Sequence, residues 1–466
     1  MKNEDESFRD SIGTIKEDGD RNWIFAKRPI GKFYNWRSIV SVFYLLVFFT
    51  LPWIKYQGEP LFLANLAERK FILFGVIFWP QDFFLFVIGM LTFIVFIVLF
   101  TVVFGRIFCG WVCPQTIFME MVFRKIEYWI DGDADKQRKL KAMDWNTEKI
   151  MKRSGKFLAF FSISFIIANY FLAYLIGMES VLLYAKEGIF AHLATFIPLV
   201  IFTSVFFFVY WWFREQVCII VCPYGRLQGV MLDPNSIVVA YDKVRGEPRG
   251  KISRHSEEPL GDCIDCFECV KVCPTGIDIR NGTQLECINC TACIDACDTV
   301  MEKVHHPISL IKYASENTIA RGEKVRFTKR IAAYCFVLLA LLNVLVVLLA
   351  TRKDIQTTVM RAQGMLYQNQ PDNKISNLYN IKMVNKTRND MPVTLKVEDA
   401  DEFPGEVIMV GKDLIVRKES VGDGVFFVQI DKDKVHHRKN KIEIGVYSNG
   451  RKIDEVKTNF LGQGEK

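Results

Sequence analysis

The stretch "CIDCFECVKVCP", residues 263–274, and the stretch "CINCTACIDACD", residues 287–298, carry eight of the 13 cysteines in the chain at one repeated spacing. In each stretch, two residues separate the first three cysteines, and the fourth follows after three more. Three cysteines at this spacing bind one 4Fe-4S cluster, while the fourth binds the other cluster of a two-cluster domain. The spacing therefore predicts two 4Fe-4S clusters.

The same rule predicts the ligands of each cluster. The first cluster would be held by Cys263, Cys266, Cys269 and Cys297, and the second by Cys287, Cys290, Cys293 and Cys273. Zinc is the alternative, but zinc sites usually have two C-x-x-C pairs separated by a longer loop. The segment resembles a bacterial two-cluster ferredoxin domain, which implies one-electron transfer between the clusters. Asp298 stands where the first run has Pro274, and this difference removes no ligand.

The chain as a whole is unusually apolar for a soluble enzyme of 466 residues, with 50% hydrophobic residues and 39 Phe. Five runs contain no charged residue: 38–54, 83–105, 157–178, 188–213 and 331–351. All but the first exceed the roughly 18 apolar residues that suggest a membrane-spanning helix. The first run is shorter and contains Pro52 near its end. The pattern predicts a bundle of five transmembrane helices.

Lysine and arginine are concentrated in alternate connecting segments, and positive segments are retained in the cytoplasm. This distribution predicts a multi-pass membrane protein with its N-terminus inside and its C-terminus outside. The predicted segments are a cytoplasmic N-terminal segment (1–37), a four-helix membrane unit (38–213), a cytoplasmic insert (214–330) with a ferredoxin domain at about 255–305, a fifth span (331–351) and an exported tail (352–466). The basic run 136–156 is predicted to be a loop facing anionic lipid. The net charge of +7 is thus explained by the positive residues retained on the cytoplasmic side of the membrane. Membrane lipid rather than nucleic acid is the expected partner.

A second cysteine repeat lies at the predicted cytoplasmic ends of the second and fourth spans. "FCGWVCPQT" (108–116) and "VCIIVCPYGR" (217–226) each contain C-x-x-x-C-P, which places Cys109, Cys113, Cys218 and Cys222 at the membrane face. On a helix, positions i and i+4 share a face with Cβ atoms roughly 5–6 Å apart. That separation is wide for a disulfide but suits two thiolates that bind a soft metal such as Cu(I), zinc or an iron-sulfur centre.

The two prolines of these motifs, Pro114 and Pro223, are predicted to end or kink the helices just past the second cysteine. A lone cysteine pair in a membrane helix is often only a packing pair. Its repetition in two equivalent hairpins favours a functional site, and a third cluster on these four cysteines remains open. Cys335, in the fifth span, is expected to be a packing residue.

The tail has short runs of alternating apolar and polar residues separated by turn residues, as in "PVTLKVED" (392–399) and "KIEIGVYS" (441–448). This pattern predicts an antiparallel β-sandwich. The tail has no recognisable nucleophile or metal-binding group, so protein contact is its expected role. The predicted fold class is a multi-domain membrane protein: a five-span α-helical bundle, an inserted ferredoxin-like α+β domain and a C-terminal β-sandwich.

Together, the paired Cys-Pro motifs, "PYGRLQGVMLD" (223–233), the two cysteine runs and "ISNLYNIKMVNKT" (375–387) resemble the family of cytochrome c oxidase accessory proteins CcoG, FixG and RdxA. The similarity extends from about Trp36 to the C-terminus and includes "RAQGMLYQ" (361–368). It implies that the tail (352–466) is a periplasmic Ig-like domain and that the protein lies in the bacterial inner membrane. The Cys-Pro motifs alone are shared with membrane ferredoxins of the NapH and NosR type.

The resemblance also implies a function: reduction of Cu(II) to Cu(I) during assembly of a cbb3-type cytochrome c oxidase. Cys109, Cys113, Cys218 and Cys222 would then be the copper-handling thiols. The implied partners are copper, the oxidase subunits or copper chaperones and transporters, and an electron donor that is not identified. Two alternatives stay open, namely an electron conduit from quinol to a partner enzyme and a non-enzymatic copper-binding scaffold.

Overall fold

The computed structural model describes residues 13–15, 18, 20–66, 70–79, 82–251, 260–322, 328–353, 355–362, 364, 366–371, 373–387, 389–398, 403–411, 414–435 and 437–463. These residues form two compact units. The first unit comprises residues 1–75 and 82–345, and the second comprises residues 76–81 and 346–466.

The α-helices within the described ranges are α1 (Lys32–Thr50), α2 (Phe83–Phe104), α3 (Ile107–Trp111), α4 (Pro114–Thr116), α5 (Arg124–Ile130), α6 (Ala134–Ala142), α7 (Thr147–Ile176), α8 (Met178–Glu187), α9 (Leu193–Phe208), α10 (Pro223–Met231), α11 (Lys243–Gly246), α12 (Glu268–Lys271), α13 (Ala292–Lys303), α14 (Glu316–Arg321) and α15 (Lys329–Ala350). Three stretches are π-helical, Ile117–Phe123, Val209–Phe213 and Val217–Val221. Short 3-10 turns occur at Leu51–Trp53, Ile189–His192, Ile279–Asn281 and Lys432–Lys434.

Five helical segments among the described residues are long and apolar enough to cross a membrane. They are Lys32–Trp53, Phe83–Phe104, Thr147–Ile176, Ile189–Phe213 and Lys329–Ala350. The predicted multi-domain membrane layout with five spans is confirmed. The prediction of a loop over residues 136–156 is wrong, because α6 and the first turns of α7 occupy it. Asn146 caps α7 by accepting a hydrogen bond from the Lys149 amide, so charged residues extend this helix beyond its apolar part.

The first span is attached to the cysteine-rich domain at its N-terminal end. The Asp295 carboxylate, on α13, accepts hydrogen bonds from the backbone amides of Phe33 (3.0 Å) and Tyr34 (2.8 Å). A carboxylate at this position satisfies amides that have no partner within the helix. Gly31 precedes α1 with a φ of 154°, and a Cβ there would lie 2.3 Å from Cγ of Asp295. The absence of a side chain at Gly31 therefore permits this cap.

The cysteine-rich domain is a small α+β structure. Its two-stranded antiparallel sheet pairs β6 (Val238–Tyr241) with β7 (Ile311–Ala314). This sheet, α12 and α13 enclose a buried core that contains Cys263, Cys269, Cys290, Cys293 and Cys297.

The second unit contains the predicted β-sandwich. Its strands are β8 (Ile355–Arg361), β9 (Gln368–Gln370), β10 (Lys374–Asn385), β11 (Met391–Val397), β12 (Gly405–Met409), β13 (Leu414–Val416), β14 (Val421–Asp431), β15 (Lys439–Ser448) and β16 (Arg451–Leu461). One sheet has the order β12-β14-β10-β8 with β9 paired to β10, and the other has the order β13-β11-β15-β16. The core between them contains the stacked rings of Tyr379 and Phe426, 5.4 Å apart. Earlier strands in the chain are β1 (Lys55–Tyr56), β2 (Glu59–Pro60), β3 (Phe62–Asn65), β4 (Lys70–Leu73) and β5 (Val76–Phe78).

Candidate iron-sulfur and thiol centres

Site 1 is the group formed by Cys263, Cys266, Cys269 and Cys297. Cys269 lies on α12 and Cys297 on α13. Burial, together with the nearby charges of Cys263 and Cys266, raises the pKa of the Cys269 and Cys297 thiols to about 12. The structure therefore brings the fourth cysteine of the second run together with the first three of the first run.

Site 2 is the complementary group formed by Cys287, Cys290, Cys293 and Cys273. Burial raises the pKa of Cys293 well above its ordinary value, and the charges of Cys290, Cys287 and Cys273 add to the rise. The four cysteines line one small cavity. The walls of this cavity are largely apolar, with Val239, Ile277, Ile279 and Ile288 among its lining residues.

The loops that carry these cysteines repeat one backbone conformation. Asp265 and Asn289 have φ values of 54° and 52°, and Phe267 and Thr291 follow with 60° and 65°. Asp and Asn adopt this left-handed conformation readily, whereas Phe and Thr do so at a cost. Each loop turns directly into a helix, at Glu268 and at Ala292. In each loop, two residues with a left-handed backbone conformation turn the chain so that three cysteines lie on one side of the loop.

The donor groups of sites 1 and 2 fit 4Fe-4S clusters. Each site offers four sulfur atoms, the soft ligand that such clusters use, and all 13 cysteines in the chain are described and free. At site 2, the side-chain amide nitrogen of Asn289 is buried and has no hydrogen-bond partner among the described residues. The side-chain oxygen of Asn289 accepts hydrogen bonds from the Val239 amide and the Cys287 thiol, so a neutral amide lies directly against a cysteine of site 2. Nowhere in the described ranges do three or more His, Cys, Asp or Glu side chains form a site for a single metal ion.

The Cys-Pro motifs at the membrane face do not lie on continuous helices. The second span ends at Phe104, and Cys109 lies on the separate helix α3. Cys113 has an extended backbone with a ψ of 127°, and Pro114 is the first residue of α4. A residue before proline avoids the helical conformation, whereas proline itself suits the first helical position. The expectation that both cysteines of a motif share one helix face is therefore wrong.

The second motif repeats this geometry. Cys222 has a ψ of 107°, and Pro223 begins α10. Four residues before the first cysteine of each motif, Gly105 and Arg214 have nearly the same backbone conformation, with φ of 57° and 52°. π-Helical stretches are frequent at functional sites. One, Ile117–Phe123, follows the first motif, and another, Val217–Val221, contains Cys218 of the second motif.

The four membrane-face cysteines form one group, called the thiol site below. Burial, together with the charges of Cys113, Cys109 and Cys222, raises the pKa of Cys218 to about 12. The Cys109 thiol donates a hydrogen bond of 2.9 Å to Oε1 of Gln228. Gln228 is fully buried and its amide nitrogen donates a hydrogen bond to Thr101 of α2. This bond fixes the orientation of the Gln228 oxygen that accepts from Cys109.

The thiol site adjoins site 2. Cys109 packs into the same buried core as Cys290 and Cys293. Arg106 donates a hydrogen bond to the Leu285 carbonyl. Burial raises the pKa of Cys109 to about 11 and that of Cys287 to about 12, and the positive charge of Arg106 opposes the rise in both. One guanidinium therefore lies close to both groups of thiols.

A buried ion network supports the cysteine motifs, and the sequence analysis did not predict it. Glu127 accepts two hydrogen bonds from Arg214, at 3.1 and 3.0 Å, and one from Lys156 at 2.6 Å. Lys156 also donates to Asp131 at 2.8 Å. Arg214 precedes the second Cys-Pro motif and is visible there in the sequence. Gln228 and Asn289 were also missed, although both stand inside the quoted motifs.

Family models match most of the chain. A 4Fe-4S dicluster domain matches residues 213–316, a 4Fe-4S binding domain matches residues 86–133, and the Ig-like fold at the C-terminus of FixG matches residues 345–463. The first match contains sites 1 and 2, and the second contains Cys109 and Cys113. These matches agree with the iron-sulfur and β-sandwich domains described above.

Curated proteins with related sequences give the same result. Protein RdxB of Cereibacter sphaeroides is 35% identical over 385 residues, which cover 78% of this chain and 80% of RdxB. Protein RdxA of the same organism is 33% identical over 393 residues, or 81% of this chain and 82% of RdxA. Nitrogen fixation protein FixG of Rhizobium meliloti is 36% identical over 307 residues, or 63% of this chain and 57% of FixG.

Proposed function

The chain belongs to the FixG/RdxA family of membrane-bound iron-sulfur electron-transfer proteins, and on that premise we propose that it reduces Cu(II) to Cu(I) at the thiol site. The product would serve the assembly of a cbb3-type cytochrome c oxidase in the bacterial inner membrane. In this proposal sites 1 and 2 are cytoplasmic and the β-sandwich is periplasmic. Oxidase subunits or copper chaperones and transporters would receive the copper.

The observation that carries this proposal is the packing of Cys109 into one buried core with Cys290 and Cys293 of site 2. When bound, 4Fe-4S clusters supply one electron at a time. The thiol site is therefore within the same packed interior as the electron source. Copper is a substrate here: Cu(II) takes up one electron and leaves as Cu(I).

The chemistry of the four thiols suits the reduced product. Sulfur ligands favour Cu(I) over harder ions, and the thiol site contains four cysteines whose charges influence one another. Burial keeps the pKa of Cys109 and Cys218 at about 11 and 12, so both are protonated at neutral pH. A thiol must lose its proton to bind a metal. Copper capture is therefore expected to release protons, including the one that Cys109 donates to Gln228.

A second candidate function has its own supporting observation. The 4Fe-4S binding domain that matches residues 86–133 includes Cys109 and Cys113. In this candidate the thiol site holds a third cluster, and the protein carries electrons from quinol to a partner enzyme. The two candidates differ in iron content and in their reaction with copper.

The test uses full-length protein purified anaerobically in mild detergent. The double variant Cys109→Ala with Cys222→Ala is compared with wild type, and Cys335→Ala, in the fifth span, is the matched control. Dithionite-reduced, desalted protein is mixed with Cu(II), and Cu(I) is measured with a cuprous chelator. Wild type and the control should form Cu(I), whereas the double variant should not, and all three should keep about eight irons per chain.

Two outcomes would overturn the copper proposal. Cu(I) formation at the wild-type rate in the double variant would exclude the thiol site as the place of reduction. About 12 irons per chain in wild type and about eight in the double variant would instead assign a third cluster to the thiol site.

A further inference from the structure

Sites 1 and 2 are related by an internal repeat, and one pair of equivalent residues differs in charge. Asp265 follows Cys263 in the order C-I-D-C, and Asn289 follows Cys287 in the order C-I-N-C. Their φ values, 54° and 52°, place them at equivalent points of the two loops. The Asp265 side chain is 30% exposed, whereas Asn289 is buried at 2%. The repeat thus puts a carboxylate beside site 1 and a buried neutral amide beside site 2.

The carboxylates around site 1 are offset in part by guanidiniums. Arg280 pairs with Asp265 and, at 2.6 Å, with Asp278. A third carboxylate, Asp298, follows Cys297 directly and its charge acts on that thiol. Arg249 and Arg245 act on Asp278 and Asp298, respectively, so each of the three carboxylates has a guanidinium nearby.

The charges around site 2 are predominantly positive. Arg37 and Arg106 are buried, at 4% and 3% exposure, beside the loop of site 2. Arg37 donates a hydrogen bond of 3.1 Å to the Gly110 carbonyl, and its charge acts on Cys290. The carboxylate that acts on this cysteine is Glu120. Two guanidiniums therefore face one carboxylate at site 2.

One further carboxylate lies between the two sites and does not distinguish them. Asp295 stands on α13 between Cys293 of site 2 and Cys297 of site 1. Its two oxygens accept hydrogen bonds from the first amides of α1, where the helix dipole offsets its charge.

Reduction adds one negative charge to a site, so nearby positive charges and N-H donors favour it and nearby carboxylates oppose it. Site 2 has two buried guanidiniums and the neutral side chain of Asn289 against Cys287, whereas site 1 has carboxylates, including Asp265, whose charges nearby guanidiniums offset in part. The deeper burial of site 2 acts in the opposite direction, because a buried charge loses solvation. Burial also strengthens the attraction of the two guanidiniums at short range.

We propose that the chain makes site 2 the better electron acceptor, with Asn289 and Asp265 setting the difference between the sites. One electron then moves from site 1 to site 2: the group held at site 1 is oxidised by one electron and the group held at site 2 is reduced by one. No proton or bond is transferred. An external one-electron reductant restores site 1. This inference goes beyond the proposed function and does not require copper.

The surface agrees with this direction. Phe267, in the loop of site 1, is 44% exposed, and Arg280 lies 4.1 Å from the centre of its ring. Asn289, at the equivalent loop of site 2, contacts the buried backbone of Val239 through a hydrogen bond of 3.2 Å. The loop of site 1 therefore reaches the surface, whereas the equivalent loop of site 2 is buried and Arg106 connects site 2 with the thiol site.

Exchanging the two loop residues tests the proposal. Asn289→Asp gives site 2 the side chain of site 1, and Asp265→Asn does the reverse. Asp and Asn both tolerate the left-handed backbone at these positions. Full-length, cluster-loaded protein is titrated potentiometrically without copper, with EPR detection, and iron and sulfide analysis verifies loading.

Wild type should show two separate midpoint potentials. Asn289→Asp should lower the higher midpoint potential, which belongs to site 2, and leave the lower one unchanged. Asp265→Asn should raise the lower midpoint potential, which belongs to site 1. The proposal is overturned if the two sites titrate together in wild type, or if Asn289→Asp shifts the lower potential instead. If the buried Asp in Asn289→Asp prevents cluster loading, Asp265→Asn alone tests the proposal. A smaller difference between the two midpoint potentials in Asp265→Asn supports the proposal, and an unchanged difference contradicts it.

Discussion

Gly110 lies so close to the carbonyl oxygen of Ile288 that a Cβ atom on Gly110 would be 2.4 Å from it. Gly110 stands inside the first Cys-Pro motif, and Ile288 stands inside the cysteine loop of site 2. This backbone contact brings the thiol site and site 2 together. Both segments belong to the first compact unit.

Gly110→Ala should destabilise this contact, because the neighbouring atoms are backbone and cannot rotate away. Overpacking of this kind typically costs about 1–3 kcal/mol. The expected result is a lower unfolding temperature in detergent and slower electron transfer from the clusters to Cu(II). Gly89→Ala is the control, since a Cβ there meets no atom within 4 Å and alanine favours a helix. Equal unfolding temperatures and equal electron-transfer rates in Gly110→Ala and Gly89→Ala would show that the close contact between Gly110 and Ile288 is not required.

Glu127→Gln should destabilise the first unit strongly. The change removes the negative charge that pairs with Arg214 and Lys156, and all three side chains are at least 93% buried. Removing one partner of a buried ion pair typically costs about 3–5 kcal/mol. Thermal unfolding in detergent measures the loss. Glu148→Gln, which removes an exposed i,i+4 pair with Lys152, should leave the unfolding temperature unchanged.

The contribution of Glu127 should also depend on pH in one direction. Burial alone would raise its pKa, but the charges of Arg214, Lys156 and Arg124 hold the pKa of Glu127 well below its usual range. A depressed folded-state pKa gives stability that is complete above the unfolded pKa, about 4.3 for Glu, and is lost as pH falls towards the folded value. The stability difference between wild type and Glu127→Gln should stay constant from pH 8 to 5 and shrink below about pH 4. A difference that instead grows on acidification would contradict this assignment.

Asp295→Ala should loosen the N-terminal end of the first span. The substitution leaves the Phe33 and Tyr34 amides without their acceptor, and loss of an N-cap costs about 0.5–2 kcal/mol. Hydrogen exchange at these two amides should accelerate. Asp295→Asn keeps one acceptor oxygen and should show a smaller effect. Equal hydrogen-exchange rates in Asp295→Ala and Asp295→Asn would show that Asp295 does not act as the hydrogen-bond acceptor for these amides.

The sequence was informative where function depends on local spacing. The five apolar runs predicted the spans, and the alternation in the tail predicted the sandwich, because both patterns reflect burial along a single element. The cysteine spacing predicted iron-sulfur domains, which the match over residues 213–316 confirms. The assignment of individual cysteines to each cluster stays a prediction that the grouping in sites 1 and 2 supports.

The remaining errors have a common physical origin. The helices that contain the first and third apolar runs begin before those runs, at Lys32 and Thr147. Arg37 and Lys156 are buried in these helices because they have distant partners. The contact between Glu127 and Arg214 joins residues 87 positions apart, and no local pattern reveals it. The error at the Cys-Pro motifs was avoidable, since proline disfavours a helical conformation at the cysteine before it.

The most direct test of the central claim is a stopped-flow experiment under anaerobic conditions. Dithionite-reduced, desalted protein with about eight irons per chain is mixed with excess Cu(II), while cluster absorbance and Cu(I) formation are recorded together. The account predicts that cluster reoxidation and Cu(I) formation share one rate and yield about two Cu(I) per chain, one for each cluster. Clusters that stay reduced in the presence of Cu(II) would contradict it.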